Sequence, residues 1–172
     1  LQGTVTHCRI HADGKPIDAI QQHLFSQAVF PVLPAFEFVP LADRVEVSGT
    51  TITNTPLKHP GGSRGYLLDA NGKRLAYITD TTVDGSYTEF IRGVDVLIHE
   101  CYFPDDMAQW CEKTGHSHTS QVATLAKQAG VGRLYLTHID PQRPDDDPIG
   151  LAVARSIFPA TILAEDLMEI EF

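Results

Sequence analysis

Four short apolar segments, rich in β-branched and aliphatic residues, each run into a histidine or a carboxylate. Thr50–Leu57 leads to His59, Leu75–Thr79 to Asp80, Val94–Ile98 to His99 and Glu100, and Leu134–Thr137 to His138. Runs of this length and composition read as strands. Strands that share a sheet and a direction end at one edge, and the loops leaving that edge carry reactive side chains on a rigid scaffold. The pattern therefore predicts a sheet edge at which imidazoles and carboxylates collect. One such residue alone would be an ordinary solvated turn residue; four at equivalent positions constrain the fold.

The neighbouring segments supply the rest of a layered α/β architecture. Arg44–Val47 and Thr50–Leu57 are expected to pair across Ser48-Gly49, and Gly65–Asp69 with Arg74–Thr79 across Asn71-Gly72, a strong hairpin signal. Tyr87–Ile91 and Pro104–Lys113 read as helical. Ser120–Ala129 is amphipathic, with Val122, Leu125, Ala126 and Ala129 on one face, Thr119 or Ser120 as cap and Gly130 as stop. Ile149–Ile157 reads as a helix, and Thr161–Ala164 and Leu167–Phe172 as strands. Strands first, then strands alternating with helices, indicate sheets covered by helices. Upstream, Thr4–Ile10 resembles a strand and Pro16–Phe25 a helix, followed by an extended stretch punctuated by Pro31, Pro34 and Pro40. Residues 1–43 are thus expected to be an irregular connection, and 44–172 the motif-bearing part of one domain.

A chain of 172 residues can bury a real core, and 42% hydrophobic with 20% charged residues excludes wholesale disorder. No apolar run approaches the roughly 18 residues of a membrane span, so no membrane partner is expected. A net charge of −9 disfavours nucleic acid unless a local patch or bound metal reverses the field. Three cysteines, Cys8, Cys101 and Cys111, cannot all pair and show no CxxC spacing. A reducing, cytoplasmic location is the expectation.

Imidazole nitrogen and carboxylate oxygen are suitable ligands for zinc or a similar first-row metal. A second concentration, Gly115-His116-Ser117-His118-Thr119, precedes the helix Ser120–Ala129, whose free N–H groups attract anions. His116 and His118 could hold a phosphate there, or one could act as general acid; alternatively Ser117 and Thr119 simply cap the helix. His7, Cys8 and His11 fit no compact zinc spacing and read as strand surface. Asp145-Asp146-Asp147 lacks the glycine and terminal glutamate of a calcium loop and reads as solvated.

Taken in order, these segments resemble the second half of the metallo-β-lactamase superfamily, over roughly residues 44–172. Leu57-Lys58-His59-Pro60-Gly61-Gly62-Ser63-Arg64-Gly65-Tyr66 is similar to the segment bearing the third-motif metal histidine. Ala76-Tyr77-Ile78-Thr79-Asp80-Thr81 is similar to that of the bridging aspartate. Leu97-Ile98-His99-Glu100-Cys101 resembles the His-Glu strand end of the ribonuclease Z-like and cyclic phosphodiesterase-like branch. Gly115-His116-Ser117-His118 resembles that branch's His-Ser-Thr segment, with His118 in place of Thr. Leu136-Thr137-His138-Ile139-Asp140 resembles the last metal-histidine segment, and Ala164–Phe172 the terminal strand.

The resemblance implies an αββα sandwich whose first half is missing from this chain, and a metal-dependent hydrolase. His59 and His138 would be terminal ligands to two divalent ions, zinc or else manganese, with Asp80 bridging them. His116 would contact the scissile phosphate or protonate the leaving group, Glu100 would orient it, and His118 would add a substrate contact. The ions would polarise the phosphoryl oxygen and supply the hydroxide nucleophile. The family's His-x-His-x-Asp-His signature is absent from this sequence. The expectation is therefore a C-terminal portion of a longer protein that associates with its missing half or with itself and holds metal weakly alone. The expected substrate is a small or cyclic phosphodiester, because only residues 60–79 separate His59 from Asp80, where ribonuclease Z carries its tRNA-gripping arm. The alternatives are a lactamase or thioesterase of the same superfamily, and a non-catalytic fragment that binds a partner half.

Overall fold

The computed structural model describes residues 7–32, 36–143 and 146–172. Backbone contacts divide it into two compact units, Leu1–Asp43 and Arg44–Phe172. In the first, β1 (Cys8–Ala12) pairs in parallel with β2 (Phe36–Pro40), Cys8 opposite Phe36 and Ala12 opposite Pro40. Between them in the chain come α1 (Gly14–Ala19) and its π-helical continuation Ile20–Leu24. The Phe25 ring sits 5.1 Å from those of both Phe30 and Phe36. Residues 1–43 thus hold a strand–helix–strand unit where an irregular connection was expected. Parallel pairing joins distant residues, and no local pattern announces it. Thr4–Thr6 of the expected first strand, and Pro34, lie outside the described residues.

The second unit is a seven-stranded sheet in sequential order: β3 (Arg44–Val47), β4 (Thr50–Leu57), β5 (Ser63–Ala70), β6 (Lys73–Ile78), β7 (Val96–Glu100), β8 (Arg133–Thr137) and β9 (Thr161–Leu163). The first four form an antiparallel meander, and the last three continue parallel to β6. Both hairpins turn where expected. Ser48-Gly49 and Asn71-Gly72 have φ of 50° and 82°, and 54° and 79°, the all-positive geometry that matches strand twist. Because β4 is antiparallel to β5 and β5 to β6, β4 runs with β6, β7 and β8. The ends of these four strands therefore share one edge.

Alternation along the strands assigns two faces. Ala76, Ile78, Leu97, Leu134 and Leu136 form the main core with α3 (Thr119–Ala129), whose Val122, Ala123, Leu125 and Ala126 are buried, and with Ala154 of α4 (Leu151–Ile157). On the other face, Leu75, Val96 and Tyr135 form a smaller cluster, against which Leu68, Ile98, Ile162 and Ile170 pack. Tyr77 on that face is exposed.

Several boundaries depart from expectation. β7 runs from Val96 to Glu100, two residues later than Val94–Ile98, because Gly93 and Val94 are bonded elsewhere (Gly93 N–H to the Ala129 C=O at the end of α3, Val94 N–H to the Ile91 C=O in the preceding turns). Tyr87–Ile91 is a run of turns rather than a helix. The Pro104–Lys113 segment is a 3-10 helix, Asp105–Trp110, followed by α2 (Cys111–Thr114). Leu167–Phe172 is not a strand: the chain turns at Glu165–Met168, with Leu167 at φ 67°, and Ile170 packs against the smaller cluster. Helix α3 starts from His118, whose side chain makes no cap; nor does that of Thr119 or Ser120. Asp105 does so from the 3-10 helix, accepting the Ser120 N–H at 2.8 Å. Asp147 accepts the Leu151 N–H at the start of α4, whereas Asp145 lies outside the described residues.

Candidate metal centre

The two-residue shift of β7 decides the fate of its two polar residues. His99 falls in register with Ile78 and Leu136 on the helix-covered face and is fully buried. The Tyr87 hydroxyl meets its Nε2 at 2.8 Å, and its Nδ1 lies 2.6 Å from the Glu100 carbonyl. Burial pushes its pKa below the ordinary imidazole value, against the opposing pull of the Glu100 charge and carbonyl. His99 is therefore a core residue with both ring nitrogens engaged. Glu100 points to the opposite face and is 1% exposed. Its Oε1 accepts the Thr81 N–H and its Oε2 the Tyr102 N–H, both at 3.1 Å. The carboxylate is thus fixed in orientation by main-chain donors.

Five of the six site residues expected from sequence come together. One ligand atom each from His59, Asp80 and His116 lie within 4.8 Å of one another, and the same holds for Glu100, His116 and His138. His59 follows β4, and its Nδ1–H donates to the Gly115 carbonyl at 3.1 Å, which leaves Nε2 with a free lone pair. Gly115, at φ 83°, permits this approach: a Cβ there would lie 2.3 Å from Pro60 Cδ and 2.8 Å from His59 Nδ1. His138 follows β8 in the left-handed region, φ 54°, uncommon for a non-glycine residue. That turn brings its Nδ1 to 3.3 Å from Asp80 Oδ1.

His116 lies between the two histidines, its ring centroid 5.2 Å from each. Its Nδ1 is 3.6 Å from Glu100 Oε1, close enough for an ion pair and too long for a hydrogen bond, so this buried atom has no hydrogen-bond partner. The Glu100 carboxylate, through its direct interaction with the ring, raises the His116 pKa above the imidazole norm; burial opposes this, and the charges of Glu100 and Asp80 add to it. The sixth residue, His118, is turned elsewhere. Its Nδ1 pairs with Asp105 Oδ1 at 2.9 Å, and it lines a separate recess with Val83, Ser120 and Gln121.

Sequence reasoning passed over Tyr102, whose ring stacks on His116 at 4.6 Å and 19°. Its place directly after the Glu100-Cys101 strand end was the available signal. A recess of about 220 Å³ opens beside the cluster, lined by Tyr77, Ile78, Thr79, Asp80, Glu100, Thr137 and His138. A larger one, about 510 Å³, lies at the opposite ends of the strands between Lys73, Asp95, Arg133 and Glu171, away from the histidines. The smaller recess is the one beside the chemistry. The residues present fit a divalent ion: a free imidazole lone pair on His59, a half-buried carboxylate on Asp80, an exposed imidazole on His138 and an orphaned buried nitrogen on His116 form a mixed N/O donor set suited to zinc.

The sequence profile described as Beta-lactamase superfamily domain matches residues 5–139. Ribonuclease Z of Methanosarcina mazei is 39% identical over 138 residues, 80% of this chain and 43% of that protein. Ribonuclease BN of Escherichia coli K12 is 36% identical over 160 residues, 92% of this chain and 50% of that protein. The chain therefore spans about half the length of these relatives. The metallo-β-lactamase fold protein YhfI from Bacillus subtilis superimposes with a TM-score of 0.77 at 22% identity, covering 94% of this chain and 63% of that one. The profile match over most of the chain, the shared fold and the ribonuclease Z relatives lead to one conclusion: the chain belongs to the metallo-β-lactamase superfamily, in its ribonuclease Z-like branch.

Proposed function

We propose that this chain carries the metal-binding and proton-transfer half of a metal-dependent phosphodiesterase. The observation that carries the reading is the placement of His116, paired with buried Glu100 and flanked by His59, Asp80 and His138 at one strand-end edge. His59 and His138 would hold one divalent ion each and Asp80 would bridge them; bound there, the ions supply Lewis acidity toward a phosphoryl oxygen and lower the pKa of water. Further ligands would complete the coordination of both ions. His116, whose hold on a proton the adjacent Glu100 carboxylate strengthens, would donate that proton to the departing oxygen, a step worth roughly 10²–10⁴-fold. Glu100, anchored by the Thr81 and Tyr102 N–H groups, sets its charge beside the ring's Nδ1.

Two substrate classes follow from separate observations. A small or cyclic phosphodiester is favoured by the compact β5–β6 hairpin, which fills the interval between His59 and Asp80, and by the charge of −9. RNA is favoured by the ribonuclease relatives, and it returns to consideration although charge alone argued against it. The test uses the full-length protein with bis-p-nitrophenyl phosphate, a cyclic nucleotide and a 3′-extended RNA, with and without chelator. Chelator-sensitive hydrolysis, lost in Asp80→Ala and lowered in His116→Ala with metal content retained, supports the reading. Loss of metal in His116→Ala would make His116 a ligand instead, since the geometry also allows it to complete a triad with His59 and Asp80.

A further inference from the structure

Tyr102 touches Glu100, His116 and His138 of the cluster. Its backbone N–H donates to Glu100 Oε2 at 3.1 Å. Its ring lies nearly parallel to that of His116, 4.6 Å away at 19°, and 5.4 Å from that of His138. Phe103 closes on the same ring edge-to-face at 4.9 Å and 78°. The hydroxyl donates to Asp140 Oδ1 at 3.4 Å, and the Tyr102 carbonyl accepts the Asp140 N–H at 3.4 Å. Asp140 in turn organises the segment after His138, accepting the Gln142 N–H on Oδ1 at 2.9 Å and the Arg143 N–H on its carbonyl at 3.2 Å.

Glu100 alone cannot set the plane of the His116 ring. At 3.6 Å its contact with Nδ1 lacks the directionality of a hydrogen bond, and Nδ1 has no other partner. A ring with one loose tether can rotate about χ2, which carries Nε2 away from a leaving oxygen. Face-to-face stacking removes that freedom, since rotation would drive the imidazole edge into the phenol. Phe103 prevents the phenol from yielding. We propose that Tyr102 is a positioning residue that fixes the plane of the His116 imidazole for proton donation. This deepens, and rests on, the reading of His116 as general acid.

Leaving-group dependence tests it. A p-nitrophenolate departs without a proton, whereas a ribose alkoxide needs one. In the full-length protein, His116→Ala should therefore lose far more rate on a dinucleoside phosphate than on bis-p-nitrophenyl phosphate. Tyr102→Leu should show the same selective loss, about tenfold in kcat on the dinucleotide with KM little changed, and under twofold on the activated substrate. Tyr102→Phe, which keeps the stack, should restore the wild-type pattern. In the double variant, Tyr102→Leu should add nothing to His116→Ala on the dinucleotide. Without added metal, the His116 ring-proton signals should move downfield in Tyr102→Leu and stay in place in Tyr102→Phe, because only the former removes the phenol's ring current. An equal loss on both substrates in Tyr102→Leu, or additive losses in the double variant, would overturn the positioning role. A His116→Ala variant without leaving-group selectivity would instead overturn the general-acid reading, and the Tyr102 proposal with it.

Discussion

Placing a methyl group at Gly115 tests whether the junction between His59 and His116 is built on that residue. The Cβ of Gly115→Ala would sit 2.3 Å from Pro60 Cδ, 2.8 Å from His59 Nδ1 and 3.3 Å from Pro60 Cγ. None of these is the far end of a flexible side chain, so the Gly115 peptide or the His59 ring must move. Left-handed backbone at φ 83° costs an alanine roughly 1–2 kcal/mol, and overpacking roughly 1–3 more. Together these give roughly 2–5 kcal/mol, on the order of 10 °C in Tm for a chain of this size. The shift also breaks the His59 Nδ1–Gly115 carbonyl bond, and loss of such an orienting contact typically weakens metal binding about 10–100-fold. Gly130→Ala is the matched control: φ is 65°, yet nothing lies within 4 Å of its Cβ, so only the backbone cost of about 1–2 kcal/mol remains. Thermal unfolding followed by circular dichroism, with zinc affinity measured against a chromophoric chelator, reads both quantities in both variants. Equal losses of Tm, with zinc affinity unchanged in Gly115→Ala, would refute the reasoning.

Two further outcomes follow from the structure. Asp105→Ala should cost about 1 kcal/mol by removing the cap on Ser120. Burial works to raise the Asp105 pKa, but the Ser120 N–H and the His118 ring outweigh it and hold it below the ordinary carboxylate value of 3.8. Its stabilising contribution is thus complete above about pH 4 and lost as pH falls through the lowered pKa; urea melts from pH 5 to 2.5 should converge for wild type and variant. Burial also pushes the thiols of Cys101 and Cys111 up to about 12 and about 11, while Cys8 is partly accessible. Ellman's reagent at pH 8 should therefore find one fast thiol in native protein, abolished by Cys8→Ser, and three in urea.

The edge that gathers the site was legible because its cues are local. Turn pairs such as Asn71-Gly72 specify hairpins, and apolar runs specify strands, so strand direction and the shared end followed. Two residues of register at β7 were not legible, and they matter more than their number suggests. Ending the strand at Ile98 leaves His99 and Glu100 together in a loop, whereas continuing it to Glu100 sends one into the core and the other toward the site. Long-range partners escaped for the same reason. The Asp105 cap on α3, the Tyr102 ring over His116 and the β1–β2 pairing each join residues that no periodicity links. His118 looked like a site residue because it stands beside His116, but at the entry to α3 one turn of the chain suffices to direct it to Asp105 instead.

The measurement that bears most directly on the central claim is anomalous diffraction at the zinc edge from crystals of the full-length protein grown with zinc. The account predicts two anomalous peaks at the strand-end edge. One should lie about 2.0–2.2 Å from His59 Nε2, the other at that distance from a His138 nitrogen, and the Asp80 carboxylate should bond to both. Zinc bound only elsewhere, for instance between Lys73, Asp95 and Glu171 at the opposite strand ends, with His59, Asp80 and His138 bare, would contradict it.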